Sequence, residues 1–146
     1  MRVLILCTAN SARSQMAEGL LRHAAGTSWE VFSAGTMPTR VRPEAIAVMR
    51  EARIDISGHH SKSVDEFLGR DFDYVITVCD NARETCPVFP ARTKRIHWSI
   101  EDPAAIGGSR EDRLNAFRHA RDELQKKLRA FVREQTASPR EGPINQ

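Results

Sequence analysis

The apolar run V-L-I-L at residues 3–6 passes directly into C-T-A-N-S-A-R-S at residues 7–14. A short, continuously apolar run is typical of a strand that is buried on both faces of a parallel sheet. A helical stripe then begins, with Met16, Leu20, Leu21 and Ala24 on one face. The sequence therefore predicts a strand, a tight loop and a helix in succession, which is the first unit of an open α/β fold.

The rest of the chain repeats this alternation. Further apolar runs predict strands at residues 31–33, 74–78 and 96–100. Helical patterns follow at 43–54, 63–68 and 109–131. Strands that alternate with helices indicate one domain with a parallel sheet and right-handed crossovers. We assign this domain to residues 1–135, and we expect residues 136–146, which contain two prolines and few apolar side chains, to be a disordered tail.

Charge and cysteine content limit the classes of function. The 22 lysines and arginines are interspersed with 19 acidic residues, so the net charge of +3 does not indicate a nucleic-acid partner. No apolar run approaches the ~18 residues of a membrane helix, and no secretion signal is recognisable. We therefore expect a cytoplasmic protein that makes no membrane contact. Its three cysteines then serve either packing or chemistry, because disulfides are rare in a reducing compartment.

The segment after the first strand has the properties of an anion-binding loop. Ligands of open parallel sheets bind beyond the carboxyl ends of the strands, where Cys7 lies. Inward amides of a tight loop and the following helix N-terminus bind tetrahedral oxyanions and favour a thiolate. We predict that Cys7 is the nucleophile, that Arg13 grips the oxyanion and that Ser14 donates to the thiolate. The predicted binding loop consists of Thr8, Ala9, Asn10, Ser11, Ala12, Arg13 and Ser14. The alternative is a structural cysteine at the end of a strand.

Two further cysteines lie near the same edge of the predicted sheet. Cys79 directly follows the third predicted strand, and the polar loop D-N-A-R-E-T separates Cys79 from Cys86. A second thiolate that reaches a sulfur adduct can displace it, and a flexible loop would supply that reach. These residues suggest a thiol relay, although they order its steps only loosely. The alternative is two incidental buried cysteines.

Asp102 and Pro103 follow the fourth predicted strand. Proline restricts the preceding residue to extended conformations, so the Asp102 carboxyl can be held over the binding loop to protonate a leaving oxygen. The same dipeptide is also common in simple turns.

With S-A-G at 33–35, H-W at 97–98 and E-D-P at 101–103, these motifs resemble the low-molecular-weight protein tyrosine phosphatase fold. They are most similar to its thioredoxin-coupled arsenate reductases, from residue 3 to about residue 133. The resemblance implies a single-domain, three-layer αβα sandwich with a four-stranded parallel sheet. We expect a monomer without a tightly bound cofactor, and no metal site, because the five histidines show no metal-ligand spacing. Arsenate would be the substrate, with phosphate or sulfate as a mimic.

The resemblance also assigns the order of the thiol steps. Cys7 attacks arsenate, Cys79 attacks Cys7 and releases arsenite, and Cys86 attacks Cys79. Reduced thioredoxin then reduces the Cys79–Cys86 disulfide. A phosphatase remains an alternative, although alanines 104 and 105 stand where the phosphatases place aromatic residues after their Asp-Pro. A non-catalytic oxyanion-binding module is a third reading.

One departure from the family concerns a potassium site that some members contain. Asn10, Glu18 and Ser33 match three of its residues, but Lys62 replaces a carboxylate. An ammonium is unfavourable beside a hard cation. We hypothesise that Lys62 neutralises Glu18 and makes activity indifferent to potassium. The alternative is that Lys62 is simply solvated. Arg40 and Arg42 lie in a basic loop after S-A-G and either steer anions or are simply solvated.

Overall fold

The structure is a computed structural model that describes the backbone of residues 1–141 and the side chains of residues 1–137. Its four strands are β1 (Arg2–Cys7), β2 (Glu30–Gly35), β3 (Tyr74–Thr77) and β4 (Lys94–His97). They pair in parallel, in the order β2-β1-β3-β4. The predicted four-stranded parallel sheet is confirmed.

Four α-helices connect or follow these strands: α1 (Arg13–Ala25), α2 (Pro43–Glu51), α3 (Asp80–Thr85) and α4 (Arg110–Glu141). Short 3-10 helices cover Gly26–Ser28, Val64–Phe67 and Pro103–Ala105. The start of α4 is a capping box, in which the backbone amides of Ser109 and Asp112 each donate to the other's side chain at 3.1 Å.

Both faces of the sheet are covered. Val3 is in register with Val31 and Tyr74, so these three side chains point to one face, where Tyr74 packs edge-on against Phe131 of α4. Their neighbours Leu4, Phe32 and Val75 point to the opposite face. There Phe32 meets an aromatic cluster of Phe67, Phe72 and Phe89.

The structure differs from the sequence-based expectation in several places. The fourth strand covers Lys94–His97 rather than residues 96–100. Residues 80–85 form helix α3, where we expected a flexible loop. Helix α2 ends at Glu51 rather than reaching Ile54, because Arg53 takes a left-handed conformation with φ of 65°. Helix α4 continues to Glu141, past the boundary predicted at residue 135. Residues 142–146 of the expected tail lie outside the described residues.

The strand order sets the position of a binding site. The chain leaves β1 to form β2 on one side, while β3 pairs with β1 on the other side. The carboxyl ends of β1 and β3 therefore flank a topological switch point, which is where open α/β sheets bind ligands. Cys7 ends β1, and Cys79 follows β3 by two residues.

Candidate active site

Cys7 is buried at the carboxyl end of β1, with only 2% of its surface exposed. Its sulfur lies 3.0 Å from the Ser14 hydroxyl. That hydroxyl oxygen already accepts a hydrogen bond from the Asn10 side-chain amide at 2.7 Å. The Ser14 hydrogen is therefore free to point at the Cys7 sulfur.

Asn10 organises the loop between β1 and α1. It is fully buried and takes a left-handed conformation with φ of 50°, which asparagine tolerates better than most residues. Its side-chain amide also donates to the Ser33 hydroxyl at 3.0 Å. Its side-chain oxygen accepts from the Lys62 backbone amide and from Gln15, both at 2.9 Å. The loop conformation is thus fixed by buried polar contacts on several sides.

A strap formed by residues 36–42 holds the outer side of this loop. The backbone amides of Met37, Thr39 and Arg42 donate to the carbonyls of Thr8, Ala9 and Ser11 at 2.8, 3.0 and 2.8 Å. The N–H of the next residue points away from each of these carbonyls, because the peptide unit is planar and trans. The strap therefore turns several loop amides away from itself, as an anion-binding nest requires.

Helix α1 begins inside the same loop. Ala12 is its N-cap residue and makes no side-chain capping hydrogen bond. The amides of the first helical turn therefore lack the usual internal acceptor, and the positive end of the helix dipole lies beside Cys7.

Arg13 and Asp102 are held beside the loop by the segment after β4. The Arg13 guanidinium donates to the Ile100 carbonyl at 2.8 Å and lies 3.9 Å from the Asp102 carboxylate. The other carboxylate oxygen of Asp102 accepts from the Ala104 amide at 2.9 Å. Both side chains are thus oriented before any ligand binds.

These elements enclose an open cavity of about 510 Å³. It is lined by Cys7, Thr8, Ala9, Ser11, Ala12, Arg13, Thr39, Arg42, Asn81, Asp102 and Ala104. Sequence reasoning identified most of this lining but missed Thr39 and Asn81, and it favoured a solvated loop for Arg42, which the structure places in the cavity wall. The position of Asn81, two residues after Cys79 at the same sheet edge, was a usable signal for it.

Cys79 lies close to the anion-binding loop. Its sulfur is 3.3 Å from the Thr8 hydroxyl, and Thr8 is the residue after Cys7. The Thr8 oxygen accepts from the Asn81 side-chain amide at 2.9 Å, so the Thr8 hydrogen is free to donate to Cys79. The same sulfur caps α3 by accepting from the Ala82 amide at 3.4 Å. Two donors, one of them in the N-terminal turn of α3, thus converge on the Cys79 sulfur.

Cys86 lies beyond the other end of α3. The six residues of this helix separate Cys79 and Cys86 by roughly 10 Å along the axis, at ~1.5 Å per residue. A disulfide needs Cα atoms within about 4.4–6.8 Å, so this pair cannot bond while α3 is intact. Burial raises the pKa of the Cys86 thiol, while Arg95, whose guanidinium lies 3.7 Å from the sulfur, opposes that shift.

Two cationic side chains lie beside Glu18, one of the residues that match the family's potassium site. The buried Glu18 carboxylate lies 2.9 Å from the Arg22 guanidinium and 3.8 Å from the Lys62 ammonium. It also accepts from the Ser33 hydroxyl at 2.6 Å. The charge of Glu18 is already balanced, so these residues do not fit a potassium ion.

Within residues 1–137, no group of three or more histidine, cysteine or acidic side chains could hold a metal ion. Among the described helices, none is both long and apolar enough to cross a membrane.

Comparison with curated proteins identifies close relatives. An arsenate reductase of Halalkalibacterium halodurans is 41% identical over 130 residues, which cover 89% of this chain and 94% of the relative. Arsenate reductase 2 of Staphylococcus saprophyticus is 43% identical over 129 residues, covering 88% and 94% of the two chains.

Solved structures with the same fold include reductases and a phosphatase. An arsenate reductase in its phosphate-binding state matches 91% of this chain and 97% of its own, with a TM-score of 0.74 and 33% identity. A thioredoxin-dependent arsenate reductase of Corynebacterium glutamicum matches with a TM-score of 0.75 and 29% identity, over 94% of this chain and 62% of its own. The arginine phosphatase YwlE of Geobacillus stearothermophilus matches 99% of both chains, with a TM-score of 0.77 and 25% identity.

The family model for low molecular weight phosphotyrosine protein phosphatases matches residues 2–140. Together with the relatives above, this match shows that the chain belongs to the low molecular weight phosphotyrosine protein phosphatase family and, within it, to the group that contains the arsenate reductases.

Proposed function

We propose that this protein is an arsenate reductase that releases arsenite and takes its electrons from reduced thioredoxin. The observation that carries the proposal is the arrangement of three thiols. Cys7 lies in the anion-binding loop, and Cys79 contacts Thr8, the residue after Cys7. Cys86 lies at the far end of the short helix α3. A hydrolase needs only the first of these thiols.

In the first step, the Cys7 thiolate attacks the arsenic atom and a sulfur–arsenic bond forms. The bond between arsenic and an arsenate hydroxyl breaks, and that hydroxyl takes a proton from Asp102 and leaves as water. Arg13, the loop amides and the N-terminus of α1 stabilise the charge that develops on the remaining oxygens. Asp102 suits the role of acid because it lines the cavity and is oriented by the Ala104 amide.

In the second step, the Cys79 thiolate attacks the Cys7 sulfur. The sulfur–arsenic bond breaks with its electron pair moving to arsenic, which becomes arsenite, and a Cys7–Cys79 disulfide forms. The Thr8 hydroxyl and the Ala82 amide hold the Cys79 sulfur beside the anion-binding loop before the attack.

In the third step, the Cys86 thiolate attacks the Cys79 sulfur and Cys7 leaves as a thiolate. This step requires α3 to unwind, because the intact helix holds the two cysteines too far apart. The dithiol of thioredoxin then reduces the Cys79–Cys86 disulfide. The thioredoxin-dependent reductase of the same fold supports this choice of electron donor. We further propose a cytoplasmic monomer whose catalysis resides in residues 1–135.

The test is a pair of assays on the unmodified protein, on Cys79→Ser and on Cys86→Ser. One assay measures thioredoxin-dependent reduction of arsenate, and the other measures hydrolysis of an aryl phosphate. Both substitutions should abolish reduction and leave any slow hydrolysis unchanged, because hydrolysis uses only Cys7, Arg13 and Asp102. Reduction that survives in either variant would refute the relay.

A phosphatase is the second candidate, and the similarity to an arginine phosphatase favours it. The small side chain of Ala104 at the cavity wall leaves an aromatic leaving group without a stacking partner at that position. Efficient hydrolysis without any arsenate reduction in the unmodified protein would select this second candidate.

A further inference from the structure

Arg42 lines the cavity that contains Cys7, Arg13 and Asp102, and the thiol relay described above gives it no task. Its backbone is held firmly. The Arg42 amide donates to the Ser11 carbonyl at 2.8 Å, and the residue is extended before Pro43, which begins α2. Proline itself disfavours the helical conformation at the preceding position. The Arg42 side chain therefore starts from a fixed point at the rim of the anion-binding loop.

The guanidinium of Arg42 has unused donor capacity. Its Nε atom is buried and has no hydrogen-bond partner among the described residues. The Glu44 carboxylate lies 3.7 Å from that atom, which is too far for a hydrogen bond. The other oxygen of Glu44 is 3.7 Å from the Arg113 guanidinium, so one carboxylate faces two cations. Arg13, in contrast, already donates to the Ile100 carbonyl.

The charge of the cavity wall also requires a second cation. The charged residues in the lining are Arg13, Arg42 and Asp102. In the proposed mechanism Asp102 carries its proton when substrate binds, and the Cys7 thiolate offsets the charge of Arg13, so without Arg42 the wall would have no net positive charge. A doubly charged oxyanion would then find no net attraction in the wall, whereas Arg42 supplies one, since charges a few ångströms apart in a site of low dielectric interact strongly.

We propose that Arg42 is a second substrate-binding guanidinium that selects the doubly charged form of a tetrahedral oxyanion. The inference rests on the proposed function for the identity of the substrate, and it adds a binding residue and a charge preference to it. Arg42 contributes through ion pairing and hydrogen bonding to the oxyanion, whereas Arg13 and the loop amides hold it over Cys7.

The experiment measures binding of inorganic phosphate by calorimetry, at pH values above and below the second ionisation of phosphate. It compares the unmodified protein with Arg42→Gln, Arg42→Lys and the matched control Arg40→Gln. Arg40 belongs to the same strap but is exposed and lies outside the cavity lining. We expect Arg42→Gln to weaken binding of the doubly charged form by roughly tenfold, as for loss of one charge-assisted hydrogen bond, and to affect the singly charged form less. Arg42→Lys should recover part of the loss, and Arg40→Gln should bind as the unmodified protein does.

Steady-state kinetics separate this inference from the proposed function. If Arg42 binds substrate, Arg42→Gln raises KM for arsenate and changes kcat much less. Arsenate reduction with the same KM in Arg42→Gln and Arg40→Gln would overturn the role of Arg42 and leave the reductase intact. Phosphate binding that depends on Arg42, in a protein that cannot reduce arsenate, would support the role of Arg42 and overturn the proposed reductase activity. An equal loss of affinity for both charge forms, accompanied by a lower Tm without anion, would show a structural role and overturn the proposal.

Discussion

The imidazole of His97 lies 2.8 Å from the carboxylate of Asp80, the first residue of α3, and its other nitrogen lies 2.7 Å from the Thr77 hydroxyl. A neutral ring satisfies both contacts when Nε2–H donates to Asp80 and Nδ1 accepts from Thr77. His97 thereby links the first turn of α3 to the end of β3. Because α3 must unwind for Cys86 to reach Cys79, this link opposes the third step of the proposed relay.

Removing the carboxylate should release α3. We expect Asp80→Ala to speed amide hydrogen exchange in residues 80–86, because the helix loses its anchor to His97 and a favourable charge at its N-terminus. Mass spectrometry of the corresponding peptide measures the effect. Glu84→Ala is the matched control, since Glu84 is an exposed acid of the same helix with no ion pair among the described residues. Equal exchange in the two variants would contradict the anchoring role.

The contact between His97 and Asp80 should make the stability of α3 depend on pH. The hydrogen bond from His97, and then one from Ser99, hold the pKa of Asp80 below its ordinary value. A lowered pKa means that the contact stabilises the fold above the unfolded value of ~3.9 and that this contribution is lost as the pH falls through the lower, folded value. We expect slow exchange in α3 to persist at neutral pH and to disappear only in acid. A loss of protection already near neutral pH would contradict this assignment.

Cys86 should react slowly in the folded protein. Burial raises the pKa of its thiol, and Arg95 counteracts part of that shift. The rate of alkylation by iodoacetamide, followed by mass spectrometry against pH, should therefore have its midpoint above the ordinary ~8.5. Arg95→Gln should move the midpoint higher still. Arg92→Gln is the control. Arg92 pairs with Asp71 and not with Cys86, so this substitution should leave the midpoint unchanged. Identical profiles for the two variants would contradict a role for Arg95.

Lys62 should make activity independent of potassium. Replacing sodium by potassium at constant ionic strength is expected to leave the rate of arsenate reduction unchanged, because Glu18 is already neutralised by Arg22 and Lys62. Lys62→Gln should lower the free energy of unfolding by about 1–3 kcal/mol, between the values for exposed and buried ion pairs. Lys126→Gln, an exposed position on α4, is the control for denaturant unfolding. A clear rate increase with potassium in the unmodified protein would refute the hypothesis.

Gly35 should be essential to the anion-binding loop. A Cβ atom at this position would lie 2.6 Å from the Thr8 carbonyl oxygen and 2.9 Å from the Asn10 nitrogen, both in the loop backbone. Gly35→Ala should therefore displace the loop, abolish phosphate binding and destabilise the fold by about 1–3 kcal/mol. Gly58→Ala is the control, because a Cβ there meets nothing within 4 Å. Calorimetry and thermal unfolding test both variants, and normal phosphate affinity in Gly35→Ala would contradict the close approach.

The parts of the fold that follow from hydrophobic periodicity could be read from the sequence. The continuous apolar runs of β1 and β3 and the regular stripe of α4 leave few alternative arrangements, and parallel pairing brings Cys7 and Cys79 to one edge. Helix α3 could not be read in this way. It is one and a half turns long and polar, and its N-cap is the thiol of Cys79 rather than one of the usual capping side chains.

The environment of individual side chains was also beyond sequence reasoning. Arg40 and Arg42 are two residues apart in the same basic segment, yet only Arg42 lines the cavity. The backbone of Arg42 is hydrogen-bonded to Ser11 in the loop, and this contact joins residues distant in sequence. Such pairings depend on tertiary structure, which local patterns do not encode.

The sulfur of Cys79 serves as the N-terminal acceptor of α3 and, in the proposed relay, as the attacking nucleophile. Once that sulfur is bonded to Cys7, it carries no negative charge and is a poorer acceptor for the Ala82 amide. Formation of the Cys7–Cys79 disulfide would therefore loosen helix α3, which holds Cys86 away from Cys79. Each turnover would then itself trigger the local unfolding of α3. In the resting enzyme, Cys86 would stay half-buried until the Cys7–Cys79 disulfide forms.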